Sequence, residues 1–135
     1  MTLEALRVAV GEKLGWTKIK LVGVHRTPHG IRPGKERGER WVVPNYPVYI
    51  ALAWSLVERM TAAGIDVMVR YDSTRGDKRW TVVAGDFRLD CDSAEEGICR
   101  AFLEMEGDFT KPMEERHELS KENGRNWGEG GLFDE

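Results

Sequence analysis

Cysteine is scarce. Cys91 and Cys99 are the two in 135 residues, too few for a disulfide framework. Long apolar runs are missing: none approaches the roughly 18 residues of a membrane-spanning helix. The opening MTLEALRVAVGEKLGW has no basic segment followed by an apolar one, so no secretory signal is expected. A basic surplus is missing too. Twenty Lys and Arg stand against 23 Asp and Glu, a formal net charge of −3, whereas a protein that binds DNA or double-stranded RNA in the usual way carries a strong positive excess. Neither the Gly-x-x-x-x-Gly-Lys-Ser/Thr phosphate loop nor the Gly-x-Gly-x-x-Gly fingerprint occurs. No Ser or Cys stands in a nucleophile motif such as Gly-x-Ser-x-Gly.

What is present suffices for a core. Hydrophobic residues make up 41%, with five Trp, four Phe and three Tyr, which excludes wholesale disorder. Charge is unevenly spread. Residues 1–105 carry 16 basic and 14 acidic side chains, and residues 106–135 carry 4 and 9. The expected organisation is one domain over 1–106 and an acidic, mobile tail over 107–135. Trp127, Leu132 and Phe133 are that tail's candidate anchors.

Periodicity predicts the elements. Leu3, Leu6, Val10 and Leu14 recur at helical spacing after Thr2, a candidate N-cap, and Gly15 stops the helix. Residues 18–24 read as a strand. Residues 25–40 hold three Gly and two Pro and read as a long loop. Asn45 is the expected N-cap of a helix over 48–63, apolar nearly all round and expected to be buried on more than one side. Period-two alternation over 65–71, 80–84 and 86–91 predicts a three-stranded antiparallel meander. Ser93 with Glu96 forms a capping box that opens a helix over 94–105. Trp54, Leu56, Val69, Trp80, Phe87, Leu89 and Phe102 are expected in the core. With no βαβ alternation the class is α+β: an α/β sandwich with a small antiparallel sheet, the meander plus one further strand, packed against helices.

Three phrases carry a resemblance. The opening LRVAVGEKLGW, the stretch VPNYPVYIALAWSLVERM and the ending DSAEEGICRAFLEME resemble, in order, the phage ABA sandwich domain proteins. Within the last phrase Gly97 stands where the family's A-x-x-A-I-C-R-A has Ala. The resemblance spans roughly residues 3–105. It implies a compact, phage-encoded α/β sandwich in the cytoplasm of the infected bacterial host, and it implies no activity.

The candidate site is the loop. Arg26, Arg32, Lys35, Arg37 and Arg40 sit among Gly30, Gly34 and Gly38, and Trp41 follows at once. Arginine offers a planar fork to phosphate or carboxylate, and glycine lets backbone approach an anion. Trp41 or Tyr46 would supply a stacking platform. The plainer reading is a solvated loop that Glu36 and Glu39 partly neutralise. His25, His29, Cys91 and Cys99 lack zinc-ligand spacing, so no metal and no cofactor is expected. Residues 48–105 follow the α-β-β-β-α order of a double-stranded RNA-binding domain, but the last helix opens Asp92-Ser93-Ala94-Glu95-Glu96, which repels a phosphate backbone. Three functions are weighed. The first is a non-enzymatic protein-binding module that inhibits a host defence factor. The second is a sponge for an anionic nucleotide held by residues 25–41. The third is a phage morphogenesis or housekeeping protein. The expected partner is a host or phage protein, or a small anionic nucleotide, with self-association as a further option. No membrane is expected.

Overall fold

A computed structural model places residues 1–110. Nine elements follow in order: α1 Leu3–Lys13, β1 Thr17–Val22, β2 Thr27–Ile31, β3 Trp41–Val42, α2 Ile50–Ala62, β4 Val67–Tyr71, β5 Trp80–Ala84, β6 Phe87–Cys91 and α3 Ala94–Glu104. The strands make two antiparallel three-stranded sheets, β1-β2-β3 and β4-β5-β6. The fold is α+β, as expected. No helix among the described residues is long and apolar enough to cross a membrane.

The second sheet is the predicted meander. Val67 faces Ala84 and Tyr71 faces Trp80; Ala84 in turn faces Phe87 and Trp80 faces Cys91. Gly85 turns the β5–β6 hairpin at φ +56, the glycine-first conformation that a two-residue hairpin uses. Ser93 is the N-cap of α3 as expected, its Oγ accepting from the Glu96 amide at 3.2 Å, while the Glu96 carboxylate accepts from Arg100 Nε at 2.9 Å, one turn on. Thr2 Oγ1 accepts from the Ala5 amide at 3.1 Å.

α3 is the hub. It touches α1, α2, β5 and β6. Gly97 is the reason it lies so close to the meander: a Cβ there would stand 2.3 Å from Cys91 Sγ and 2.8 Å from Val82 Cγ2. Lys13 joins α1 to the far end of α3. Its ammonium donates to the carbonyls of Phe102 at 2.6 Å and Leu103 at 3.3 Å, and to that of Met105. These carbonyls lie at the end of α3, where the helix supplies few amide donors; the Phe102 carbonyl also accepts from the Met105 amide at 3.2 Å. Burial, against the pull of Glu104 and Glu106, draws the Lys13 pKa down.

Four expectations are corrected. First, residues 25–40 are not all loop: β2 pairs with both β1 and β3. Its sequence, Thr-Pro-His-Gly-Ile, hides it, because Pro and Gly are depleted in strands. Gly30 is there because β1 passes so close that a Cβ would meet the Thr17 carbonyl and Ile19 at 2.9 Å. Pro28 sits in the middle strand at a position where its missing N–H is replaced. The Val43 amide donates to the Pro28 carbonyl at 2.9 Å. The returning bond, which Pro28 cannot give, is supplied to the Val43 carbonyl by Arg7 Nε at 2.9 Å and Nη2 at 2.6 Å.

Second, Asn45 does not cap α2. Tyr49 stands at its N-cap without a side-chain bond, while the Asn45 carbonyl accepts from the Val48 and Tyr49 amides. Third, α2 is buried on one face only, through Ala53, Leu56, Val57 and Met60. Trp54 is 48% exposed, because α2 packs mainly on α3 and only lightly on β4, which leaves the flank that carries Trp54 half open. Leu56 and Phe102 are in the core as expected, and Val69, Trp80, Phe87 and Leu89 pack half-buried at its edge. Fourth, the packed body runs past residue 106. Phe109 is 1% exposed, with its ring 5.0 Å from that of Phe102, and its carbonyl accepts from Arg59 Nη1 at 2.8 Å. Trp127, Leu132 and Phe133 lie outside the described residues.

Candidate functional site

The residues that follow β2 build a concavity. Arg32-Pro33-Gly34-Lys35 is a tight turn, closed by the Lys35 amide on the Arg32 carbonyl at 3.2 Å. Pro at its second position and Gly34 at φ +82 at its third are what a type II turn requires. Pro33 also packs near Gly15 at the end of α1, 3.3 Å from where a Cβ there would stand. A rigid turn thus sets Arg32 and Lys35 side by side. β3 brings Trp41 opposite Gly30, and the Arg32 guanidinium lies over the Trp41 ring, 4.3 Å from its centroid. Such stacking orients a guanidinium without neutralising it.

Arg32, Lys35, Arg37 and Trp41 line one pocket of about 220 Å³, together with Ile31, Gly38 and Glu39. Among the described residues Arg75 and Arg88 pair with Asp90, and Arg100 pairs with Glu96. None of these pairs involves Arg32, Lys35 or Arg37. Three cations therefore face one carboxylate and solvent.

The other predicted site residues are elsewhere. Arg40 donates through Nη1 to the carbonyl of Lys18, where β1 bulges and Lys18 takes φ +53. Arg40 is thus a brace. Arg26 occupies the β1–β2 turn at φ +55, its amide on the Gly23 carbonyl at 3.2 Å. Tyr46 is no stacking platform: it is 7% exposed within the core, and burial raises its hydroxyl's pKa.

Both thiols are buried, and burial is the main force pushing Cys91 up to about 11 and Cys99 up to about 12. Burial thus disfavours the thiolate, the form that acts as a nucleophile. No group of three or more His, Cys, Asp or Glu side chains among the described residues is placed to hold a metal. Asp90 has a structural role. It accepts from Arg75 at 3.0 Å and Thr81 at 2.8 Å. Those bonds, Arg75's first, hold its carboxyl down to about 2. The pair ties the turn between β4 and β5 to β6.

Sequence periodicity missed a second surface. Val48, Tyr49, Ile50 and Trp54 are 44%, 60%, 51% and 48% exposed, around the first turn of α2. Tyr49 lies near Arg7, which holds the Val43 carbonyl, and Trp41 and Val42 just before it are also half-exposed. The signal that would have found it is the spacing of Ile50 and Trp54, one turn apart on a flank of α2 about 90° round the helix from the centre of the face that buries Ala53, Leu56, Val57 and Met60.

No protein-family model, no curated protein and no solved structure matches this chain. The resemblance to the phage ABA sandwich proteins rests on its three phrases alone.

Proposed function

We propose that this chain is a non-enzymatic binding protein whose partner is another protein. In the phage setting that the resemblance implies, that partner is a host factor which the chain inhibits. The observation that supports this is the cluster of Val48, Tyr49, Ile50 and Trp54, each about half exposed. Exposed large side chains are unremarkable when scattered, but a patch rich in aromatics is the usual character of a protein-docking surface. Trp and Tyr at the centre of such a surface carry most of the binding energy.

The test is capture of partners by the tagged full chain from phage-infected cells, with the wild type beside a Tyr49→Ser/Trp54→Ser variant. The expected result is a stoichiometric protein partner that the variant loses while its melting curve stays in place. Unchanged capture by the variant would refute the assignment of this surface. If light scattering shows the wild type to be a dimer and the variant a monomer, the surface serves self-association instead.

A second reading is favoured by one observation, the pocket lined by Arg32, Lys35 and Arg37. It is capture of a small anion, of which a nucleotide sponge is one form. With Tyr46 in the core and one face of Trp41 taken by Arg32, the pocket suits the anionic group better than the base.

A further inference from the structure

The pocket holds more information than its positive charge. Its volume, about 220 Å³, lies below the roughly 300–1,000 Å³ of sites that enclose whole drug-sized ligands. That limits it to a head group or a very small molecule. Its walls carry Arg32, Lys35 and Arg37 against Glu39, a formal surplus that balances a dianion. A phosphate monoester carries about −1.5 to −2 at neutral pH, whereas a monocarboxylate carries one charge. Two guanidiniums and an ammonium also supply donors enough for three phosphoryl oxygens. Glu39 is the odd member. A carboxylate only accepts hydrogen bonds, so beside bound phosphate it needs a donor, and an uncharged hydroxyl is the donor that adds no positive charge to the site. Acidic side chains take the hydroxyls of ribose in this manner in dinucleotide sites.

We propose that Arg32, Lys35, Arg37 and Glu39 form a binding site for a phosphate monoester that carries free hydroxyls, of the size of a sugar phosphate. The phosphate lies on the three cations, and a hydroxyl donates to Glu39. Arg32 is preset by its stack on Trp41 and by the Pro33-Gly34 turn, so little ordering accompanies binding. The proposal rests on the anion-capture reading and is independent of the protein-docking surface, since none of these four residues belongs to it.

Isothermal titration of the full chain with ribose 5-phosphate, inorganic phosphate, adenosine monophosphate and ribose tests it. Ribose 5-phosphate is expected to bind saturably and more tightly than inorganic phosphate, with ribose silent. Binding should weaken as salt rises, because the contacts are between charges. Arg37→Ala should weaken binding about tenfold or more, as loss of a charged hydrogen bond does, and Arg37→Lys should restore only part, because a point charge lacks the fork. These positions are on an exposed turn, so unchanged melting shows that folding is not the cause. Glu39→Gln should remove much of the preference for ribose 5-phosphate over inorganic phosphate. Equal binding of the two by the wild type, with Glu39→Gln without effect, would overturn the hydroxyl contact and leave anion capture standing. Absence of saturable binding for every phosphate, or binding that Arg37→Ala leaves intact, would overturn both.

Discussion

Arg7 does a job that Pro28 cannot. β2 and the chain after β3 meet as an antiparallel pair at Pro28 and Val43, where a regular ladder exchanges two hydrogen bonds. One exists, from the Val43 amide to the Pro28 carbonyl at 2.9 Å. The other needs an N–H that proline lacks. Val43 is fully buried, so its carbonyl is beyond the reach of solvent, and Arg7 reaches over from α1 to donate twice to it. Arg7→Ala therefore strands a buried acceptor, at a cost of about 1–3 kcal/mol. For a domain of this size that lowers Tm by roughly 5–15 °C. Pro28→Ala alone should cost about 1–2 kcal/mol. It returns an N–H to the ladder, worth about 0.5–1.5 kcal/mol, but it frees the unfolded chain by about 0.4–1 kcal/mol and removes two methylenes of a fully buried ring, at about 0.8 kcal/mol each. In the Arg7→Ala background the same change should cost about 1 kcal/mol less, because the new amide takes the vacant carbonyl. Urea unfolding of the four proteins closes the cycle. A coupling energy of about 1 kcal/mol is expected for two residues sharing one partner. Simple additivity, or an Arg7→Ala loss below about 0.5 kcal/mol as at an ordinary surface site, would refute the reasoning.

Gly97→Ala should destabilise by about 1 kcal/mol. The helix gains about 1 kcal/mol from alanine, but a Cβ pressed against Cys91 Sγ and Val82 Cγ2 brings an overpacking cost of about 1–3 kcal/mol; adding Cys91→Ala should return part of the loss, and a rise in Tm for Gly97→Ala alone would contradict the tight seat of α3. Because the folded pKa of Asp90 is held near 2, below the unfolded value of about 3.9, its tether is fully present above about pH 4 and is lost as pH falls through about 2. Amide exchange in the 72–79 turn should quicken in that window, and an Asp90 carboxyl titrating near 4 would dissolve the Arg75–Asp90 anchor. Trp54→Ser should lower stability by less than about 1 kcal/mol, against the 3–5 kcal/mol of a core aromatic, and Trp54 should be accessible to an aqueous fluorescence quencher; a core-sized loss would return it to the interior.

Local chemistry was legible in the sequence wherever a short-range pattern decides structure. Alternation alone placed β4, β5 and β6 to within two residues, because a sheet with one buried face writes period two into its strands. Ser93 with Glu96 and Thr2 before Leu3 marked helix starts, since capping is an interaction within one turn. Arg32, Lys35, Arg37 and Trp41 were legible as a basic, aromatic-flanked loop because charge and glycine show in composition. Tertiary structure decided the rest. β2 escaped because Pro28 and Gly30 are unfavourable in strands taken alone; Arg7, 21 residues earlier, and the close passage of β1 make them fit. Tyr46 and Trp54 exchanged their expected places, since an aromatic is equally at home in a core or on a docking surface and the packing of α3 chooses between them. Arg40 left the site for the Lys18 carbonyl, and Phe109 entered the core from what composition marked as tail. In each case the deciding partner lies far along the chain, so no local window of sequence contains the energy that settles it.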